Sequence, residues 1–262
     1  MLIVYKGAGN HSNRLFQAIH FEAFCLENEL AYLNPSFKDM ADYFGLEQRI
    51  WHKPFCTILQ NLNKVKLLKG LDCSDDGEQQ SYEETIKNKK RVLVKGWNFR
   101  VFDLTAKFQD YFVKKYSLLP IYYQNNTLYR RISKMDRNIQ VVVGVHIRRG
   151  DYRSWQDGKY FFSDDVYQEY MNSLRIKLEQ SFKKPVFIIF SNEDVSIAEK
   201  ENVILSRNDW YIDQFLMSQC DYLIGPPSTF TLWASYIGKV RYFHFEDDQT
   251  QVDLDNFQYC IG

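Results

Sequence analysis

The stretch Gln140-Val141-Val142-Val143-Gly144-Val145-His146-Ile147-Arg148-Arg149-Gly150-Asp151-Tyr152 decides the fold class of this chain. Its apolar run has the length of a strand and is β-branched almost without interruption. A strand of that kind is buried on both faces, as in a parallel sheet, whereas a one-sided antiparallel strand alternates. Charge begins where the run stops. In open α/β sheets ligands bind beyond the carboxyl ends of the strands, so His146, Arg148, Arg149 and Asp151 are delivered to the rim where a ligand would sit. Two adjacent arginines, one turned inward, suit a doubly charged anion that needs fork-shaped donors, and a solvated strand end with surface ion pairs is the plainer alternative.

Downstream, strands and helices alternate. Helix is expected from Asp164 to Phe182, with Val166, Tyr170, Leu174, Leu178 and Phe182 four apart on one stripe. Strands Val186–Phe190 and Val203–Leu205, helix Trp210–Cys220, strand Tyr222–Ile224, helix Thr229–Tyr236 and strand Val240–Phe245 follow. Such alternation implies a parallel sheet with right-handed crossovers. Upstream, strand Leu2–Lys6, the turn Gly7 to Asn13 and a helix from Arg14 to Glu29, with Leu15, Ile19, Ala23 and Leu26 at helical spacing, open a second Rossmann-like unit. Residues 34–90 are harder to read: they hold a short strand candidate, Lys64–Leu68, and a polar loop, Asp72–Ser81. Strand Arg91–Lys95 leads into Gly96-Trp97-Asn98, and helix Ile121–Asp136 closes the first half. The expected fold class is α/β with two Rossmann-type domains, 1–137 and 138–262.

A chain of 262 residues supports two such halves, and its formal net charge of zero argues against a diffuse nucleic-acid footprint. Any anion site must be a local concentration of donors. Cys25, Cys56, Cys73, Cys220 and Cys260 show no CxxC spacing, which speaks against a disulfide framework or a zinc site and fits a reducing cytoplasm. The opening MLIVYKGAGN has too short an apolar run for a signal peptide, and no apolar segment approaches the roughly 18 residues of a membrane span. The expectation is a cytoplasmic protein, at most peripheral to a membrane. The basic cluster Arg130, Arg131, Lys134 and Arg137 reads either as a contact for anionic lipid or as a solvated helix face.

Two further strand ends carry polar residues on the same rim, Ser191-Asn192-Glu193 and Gly225-Pro226-Pro227-Ser228-Thr229-Phe230. The last opens a helix with Ser228 as N-cap, so free backbone N–H groups and the helix dipole favour a phosphate there, although a plain cap looks the same in sequence. Asp213 could accept from a guanine N1–H and amine, or be a solvated helix charge. Gly7-Ala8-Gly9 lacks the third glycine of a dinucleotide fingerprint, and Asp253-Leu254-Asp255 is a short DxD match in a polar tail. There is no HExxH, Walker loop or GxSxG elbow. Of the lone histidines, His11, His20, His52 and His244 read as surface or core residues.

These residues resemble a known family. GVHIRRGDY, residues 144–152, is similar to the HxRRxD-type signature of fucosyltransferases that use GDP-fucose, and Asn13-Arg14-Leu15-Phe16-Gln17 resembles the amino-terminal GNQLFQ motif of the α1,2-fucosyltransferases. The segments DQFLMSQC, residues 213–220, and STFTLWA, residues 228–234, resemble that family's DxxLMSxC and SSFSWWAA segments. Four motifs in order imply a GT-B-like fold, two Rossmann-type domains facing across a cleft, with residues 1–137 as the acceptor-side domain and the nucleotide sugar held mainly by residues 138–262.

By that resemblance Arg148 binds the pyrophosphate and His146 sits at the nucleotide; Arg149, Ser191 and Asn192 are further candidates for the same ligand from their place on the rim. Asp213 reads guanine, and Ser228, Thr229 and Phe230 contact β-phosphate and fucose. Ser12 and Arg14 depart from the α1,2 pattern, and Asn10 aligns with the cleft asparagine of the protein O-fucosyltransferases, so Asn10 and Asn13 are both candidates to face the sugar. Asp151 and Glu22 are the candidate general bases. The implied activity is inverting transfer of L-fucose from GDP-β-L-fucose to the 2-hydroxyl of a galactoside or similar hexose, in glycan or O-antigen-type biosynthesis. The resemblance implies no metal and no further cofactor, an oligosaccharide or lipid-linked glycan as acceptor, and no nucleic-acid partner. A transferase using another GDP-sugar or making another linkage, and a catalytically silent GDP-sugar binding protein, are the alternatives.

Overall fold

The computed structural model describes residues 1–46, 52–64, 67–248 and 252–262. Its contacts divide the chain into two compact units, Met1–Leu119 with Ile261–Gly262, and Pro120–Cys260.

The first unit runs β1 (Leu2–Val4), α1 (His11–Glu27), β2 (Tyr32–Leu33), α2 (His52–Lys64), β3 (Leu71–Asp72), α3 (Gln79–Asn88), β4 (Val92–Lys95), α4 (Phe102–Lys107) and α5 (Gln109–Lys115). Every pairing is parallel, in the order β2-β1-β4-β3. Helix α1 is buried almost all round, from Leu15 through Cys25, which makes it a core helix. Its Phe21 and Phe24 pack with Leu2, Val4, Val92, Val94 and Phe99.

The strand expected at Lys64–Leu68 is not formed where the structure describes it. Lys64 closes α2, Leu67 is exposed, and Val65 and Lys66 lie outside the described residues. The sheet takes Leu71–Asp72 instead, because Gly70 lets the chain pass close to β4: a Cβ there would lie 2.5 Å from the Leu93 carbonyl oxygen. The polar loop expected at Asp72–Ser81 is shorter than read, since α3 begins at Gln79. Helices α4 and α5 went unforeseen.

The second unit runs α6 (Pro120–Tyr123), α7 (Thr127–Ser133), β5 (Gln140–Ile147), α8 (Asp164–Gln180), β6 (Lys184–Ser191), β7 (Val203–Leu205), α9 (Trp210–Met217), β8 (Tyr222–Gly225), α10 (Thr229–Gly238) and β9 (Arg241–His244). The parallel order is β7-β6-β5-β8-β9, so β5 is flanked on both sides. Its side chains alternate. Val141, Val143, Val145 and Ile147 pack with Tyr167, Tyr170 and Leu174 of α8, while Val142 packs with α7, α9 and α10 through Leu128, Ile132, Leu216 and Ala234. Burying each such side chain contributes roughly 1.5–3 kcal/mol.

The helix expected over 121–136 is broken at Asn126, whose side chain caps α7 by accepting from the Tyr129 backbone N–H at 3.0 Å. Because α7 buries Leu128 and Ile132 against the second sheet, the division falls before Pro120 rather than between 137 and 138. Phe182 was read as the last residue of the α8 stripe. It is 94% exposed, because α8 ends at Gln180 and Phe182 takes a left-handed φ of 58°. Among the described residues no helix is long and apolar enough to cross a membrane.

Candidate functional site

In the second sheet the chain leaves β5 toward β6 on one side and reaches β8 on the other, so the topological switch point lies between β5 and β8. Open α/β sheets bind ligand at that place, beyond the carboxyl ends of the strands. Gly225 closes β8, and a Cβ there would lie 2.5 Å from the His146 carbonyl oxygen, so the two strand ends approach more closely than a side chain permits.

His146 follows the α10 face of the β5 alternation. Its Nδ1 lies 2.9 Å from the Thr231 hydroxyl and its ring 5.2 Å from that of Phe230. Burial, reinforced by the Arg148 charge, pushes the imidazole down to about 3, so it is neutral at physiological pH. It serves as a hydrogen-bonded brace between β5 and α10.

The two arginines separate. Arg149 turns inward, to the Phe162 carbonyl and the Asp164 carboxylate at the start of α8, while its backbone N–H donates to Asn192 Oδ1 at 2.9 Å. Arg148 stays at the rim, 23% exposed, paired with Asp151 at 2.7 Å and 5.4 Å from the Tyr152 ring. The Tyr152 hydroxyl donates to the Pro227 carbonyl, tying the segment after β5 to the turn that opens α10. That turn is capped: the Ser228 side chain accepts from the Phe230 backbone N–H at 3.2 Å. Tyr152 thus links Arg148 to the turn of Ser228, Thr229 and Phe230 at the switch point, a fork-shaped cation on a segment tied to the positive end of a helix, which is an arrangement for a phosphate.

Ser191 and Asn192 lie on the same rim with their side chains engaged in the protein. Ser191 Oγ accepts from the Glu193 N–H at 3.3 Å, and Asn192 holds Arg149. Asp213, on the first turn of α9, is no solvated charge. It is 7% exposed and accepts from the Ser206 hydroxyl, and burial pushes its carboxyl up to about 7 against the opposing hydrogen bonds of Ser206 and Asn208. Asn208 Nδ2 donates to Ser206 Oγ at 2.8 Å, and its Oδ1 accepts from Asn126 at 2.7 Å, so the carboxyl ends a continuous polar chain.

The first unit has its own switch point, between β1 and β4. Gln17, 1% exposed on α1, spans it: Nε2 donates to the carbonyls of Lys6 at 3.2 Å and Gly96 at 2.8 Å, and Oε1 accepts from the Ala8 N–H at 3.2 Å. Asn10 is the N-cap residue of α1, exposed, with no side-chain cap hydrogen bond. Asn13 lies one turn in and half-buried under Gly9, whose φ is +63°. Arg14 pairs with Asp39 at 2.5 Å. Glu22, a candidate base, is buried and takes hydrogen bonds from Tyr111 and Tyr116, each at 2.9 Å, and from Lys115. That is a structural knot. Asp253 caps a short turn by accepting from the Asp255 N–H at 3.2 Å, and Asp255 lies near Arg241, the first residue of β9, at the sheet end opposite the rim.

Sequence reasoning passed over Gln17, Tyr152, Thr231, Ser206 and Asn208. Gln17 and Thr231 carried a signal, a polar residue at a core position of an apolar helix. The other three depend on contacts across the fold.

The family described as Glycosyl transferase family 11 matches residues 76–243. An alpha-1,2-colitosyltransferase from Escherichia coli is 32% identical over 104 residues, 36% of this chain and 36% of that protein. The match thus spans about a third of the curated relative. Among solved structures, the fucosyltransferase NodZ from Bradyrhizobium superposes with a TM-score of 0.57 at 14% identity, covering 98% of this chain and 96% of NodZ. NodZ soaked with GDP-fucose, where it is named an alpha-1,6-fucosyltransferase, gives 0.52 at 13% identity, over 98% of this chain and 97% of that one. A mutant of Arabidopsis thaliana FUT1 in complex with GDP gives 0.53 at 12% identity, over 98% of this chain and 73% of that one. The fold is GT-B-like, two Rossmann-type units of parallel strands shared with these fucosyltransferases. With the matched residues running from the first unit through the last strand of the second, the chain belongs to glycosyl transferase family 11.

Proposed function

We propose that the protein transfers L-fucose from GDP-β-L-fucose to the 2-hydroxyl of a galactoside, with inversion and without a metal ion. The observation that carries this reading is the tie at the switch point by which Tyr152, its ring 5.4 Å from the Arg148 guanidinium and its hydroxyl on the Pro227 carbonyl, joins Arg148 to the Ser228-capped start of α10. As the bond from fucose C1 to the β-phosphate oxygen breaks, negative charge grows on that phosphate and the ring becomes oxocarbenium-like. Donors fixed in advance at the phosphate stabilise this state more than the ground state. The acceptor hydroxyl attacks C1 from the face opposite GDP and gives up its proton to solvent as the C1–O bond forms, which converts the β-linked donor to an α-linked product. Asp151, paired to Arg148 at 2.7 Å, orients the guanidinium. His146 braces the β-phosphate pocket, and Asp213 accepts from guanine.

The α1,2 linkage draws support from the NRLFQ, DQFLMSQC and STFTLWA runs and from the name of the curated relative; the NodZ neighbour, an α1,6 enzyme, shares the fold alone. That relative also favours one second reading, a closely related deoxyhexose carried on GDP in place of fucose. The acceptor belongs to a surface-glycan repeat, free or lipid-linked, and the reaction takes place in the cytoplasm. Linkage analysis of the product formed on lactose tests the reading. Fucose at the 2-hydroxyl of galactose is expected, and fucose at the 3- or 6-position would overturn the linkage while leaving the donor site intact.

A further inference from the structure

Trp155 differs from the other exposed large apolar side chains in how it is held. Its indole is 40% exposed, yet it lies 4.8 Å from the Tyr152 ring and 5.4 Å from the Tyr160 ring. Both tyrosines belong to the core of the second unit. Tyr152 is also the ring beside the Arg148 guanidinium, so the indole and the rim arginine share it as a neighbour.

The backbone that follows is strained. Gln156, Asp157 and Gly158 take φ of 49°, 57° and 77°, three left-handed residues in a row. A non-glycine residue enters that region at a steric cost and persists there where the surroundings over-determine it. Here they fold the chain back on itself, with the Lys159 N–H donating to the Gln156 carbonyl at 3.1 Å and the Phe161 N–H to the Gly158 carbonyl at 2.9 Å, so that Tyr160 re-enters the core. The product is an aromatic surface open to solvent, in which the indole is tilted by 38° and 32° to the rings of Tyr152 and Tyr160 and is joined through Tyr152 to the leaving-group arginine. Asp151, Gln156 and Asp157, close by in the chain, are exposed and polar.

A hexopyranose matches that surface: it offers a C–H face to an aromatic ring and hydroxyls to a polar rim. In a galactoside the axial 4-hydroxyl leaves one face of the ring free of oxygen over several adjacent C–H groups. We propose that Trp155 is the stacking platform of the acceptor subsite and takes this C–H face of a β-galactoside. The inference rests on the proposed transfer to a galactoside and adds the residue that holds the acceptor.

The test pairs Trp155→Ala and Trp155→Phe with two readouts. Steady-state transfer to lactose should show the acceptor KM raised about tenfold or more in Trp155→Ala and partly restored in Trp155→Phe, with GDP affinity by calorimetry within twofold of the parent. In parallel, NMR of the indole N–H signals should show the resonance missing from Trp155→Phe shifting when lactose is added to the parent protein. Unchanged acceptor KM in Trp155→Ala, or no lactose-induced shift of that resonance, would overturn the inference. Because the NMR titration needs no turnover, it decides the role of Trp155 even if GDP-fucose proves not to be the donor, an outcome that would fall on the proposed function instead.

Discussion

Arg148 and Arg149 are neighbours in sequence with opposite duties. The alternation of β5 sends one guanidinium to the rim and the other into the packing of α8. Arg148→Ala should abolish transfer, with a loss of about a hundredfold or more, and Arg148→Lys should rescue little, because a lysine replaces a bidentate fork with a point charge. Initial rates on purified, folded variants check this, and near-normal turnover in Arg148→Ala would remove it from the site. Arg149→Ala, by contrast, should act on stability, since Asp164 would lose the partner at the start of α8.

Asp213 carries a pH signature. Its carboxyl binds a proton more tightly folded, at about 7, than at its ordinary value of 3.8. The folded state therefore holds the extra proton between those values, and the ligand-free protein should lose stability as pH rises through that window, by at most about 1.4 kcal/mol per pH unit. Asp213→Asn should flatten the dependence. If the carboxylate also accepts from guanine, the same variant should weaken GDP by about 2 kcal/mol in calorimetry. Equal affinity would leave Asp213 as the end of an internal polar chain.

At the scale of elements, the β-branched run of β5 and the Ser228 cap were legible because each is a local signal, an uninterrupted apolar strand and a hydroxyl before a helix. Residues 34–90 were not. Their strand β3 is two residues long and owes its existence to the parallel neighbour β4, distant in sequence, so it has no periodicity of its own to read. The direction of Arg149 was legible only as far as one arginine turning inward, since its partners Phe162 and Asp164 lie on another element. Gln17 shows what such cross-fold contacts are worth. Gln17→Leu would leave two carbonyls and one N–H without partners and should destabilise the protein by about 2 kcal/mol in urea unfolding; a change within the error of the midpoint would contradict the bridge. Phe182→Gly should act oppositely, raising the melting temperature, because glycine adopts the left-handed turn after α8 without the steric cost that phenylalanine bears there.

For the whole molecule, a net charge of zero leaves binding of a nucleotide sugar to local donors, and those gather at one switch point. On the proposed reading Arg148 and the start of α10 take the part that a divalent ion plays at other pyrophosphates, so transfer should survive EDTA. The central claim is tested most directly by offering the protein GDP-β-L-fucose, GDP-mannose and UDP-galactose in turn, each with lactose and EDTA, and following nucleoside diphosphate release and trisaccharide by mass spectrometry. The expected result is GDP and fucosylated lactose in equal amounts, from GDP-β-L-fucose alone. Turnover from none of the GDP-sugars, or turnover that returns only when a divalent metal is restored, would contradict it.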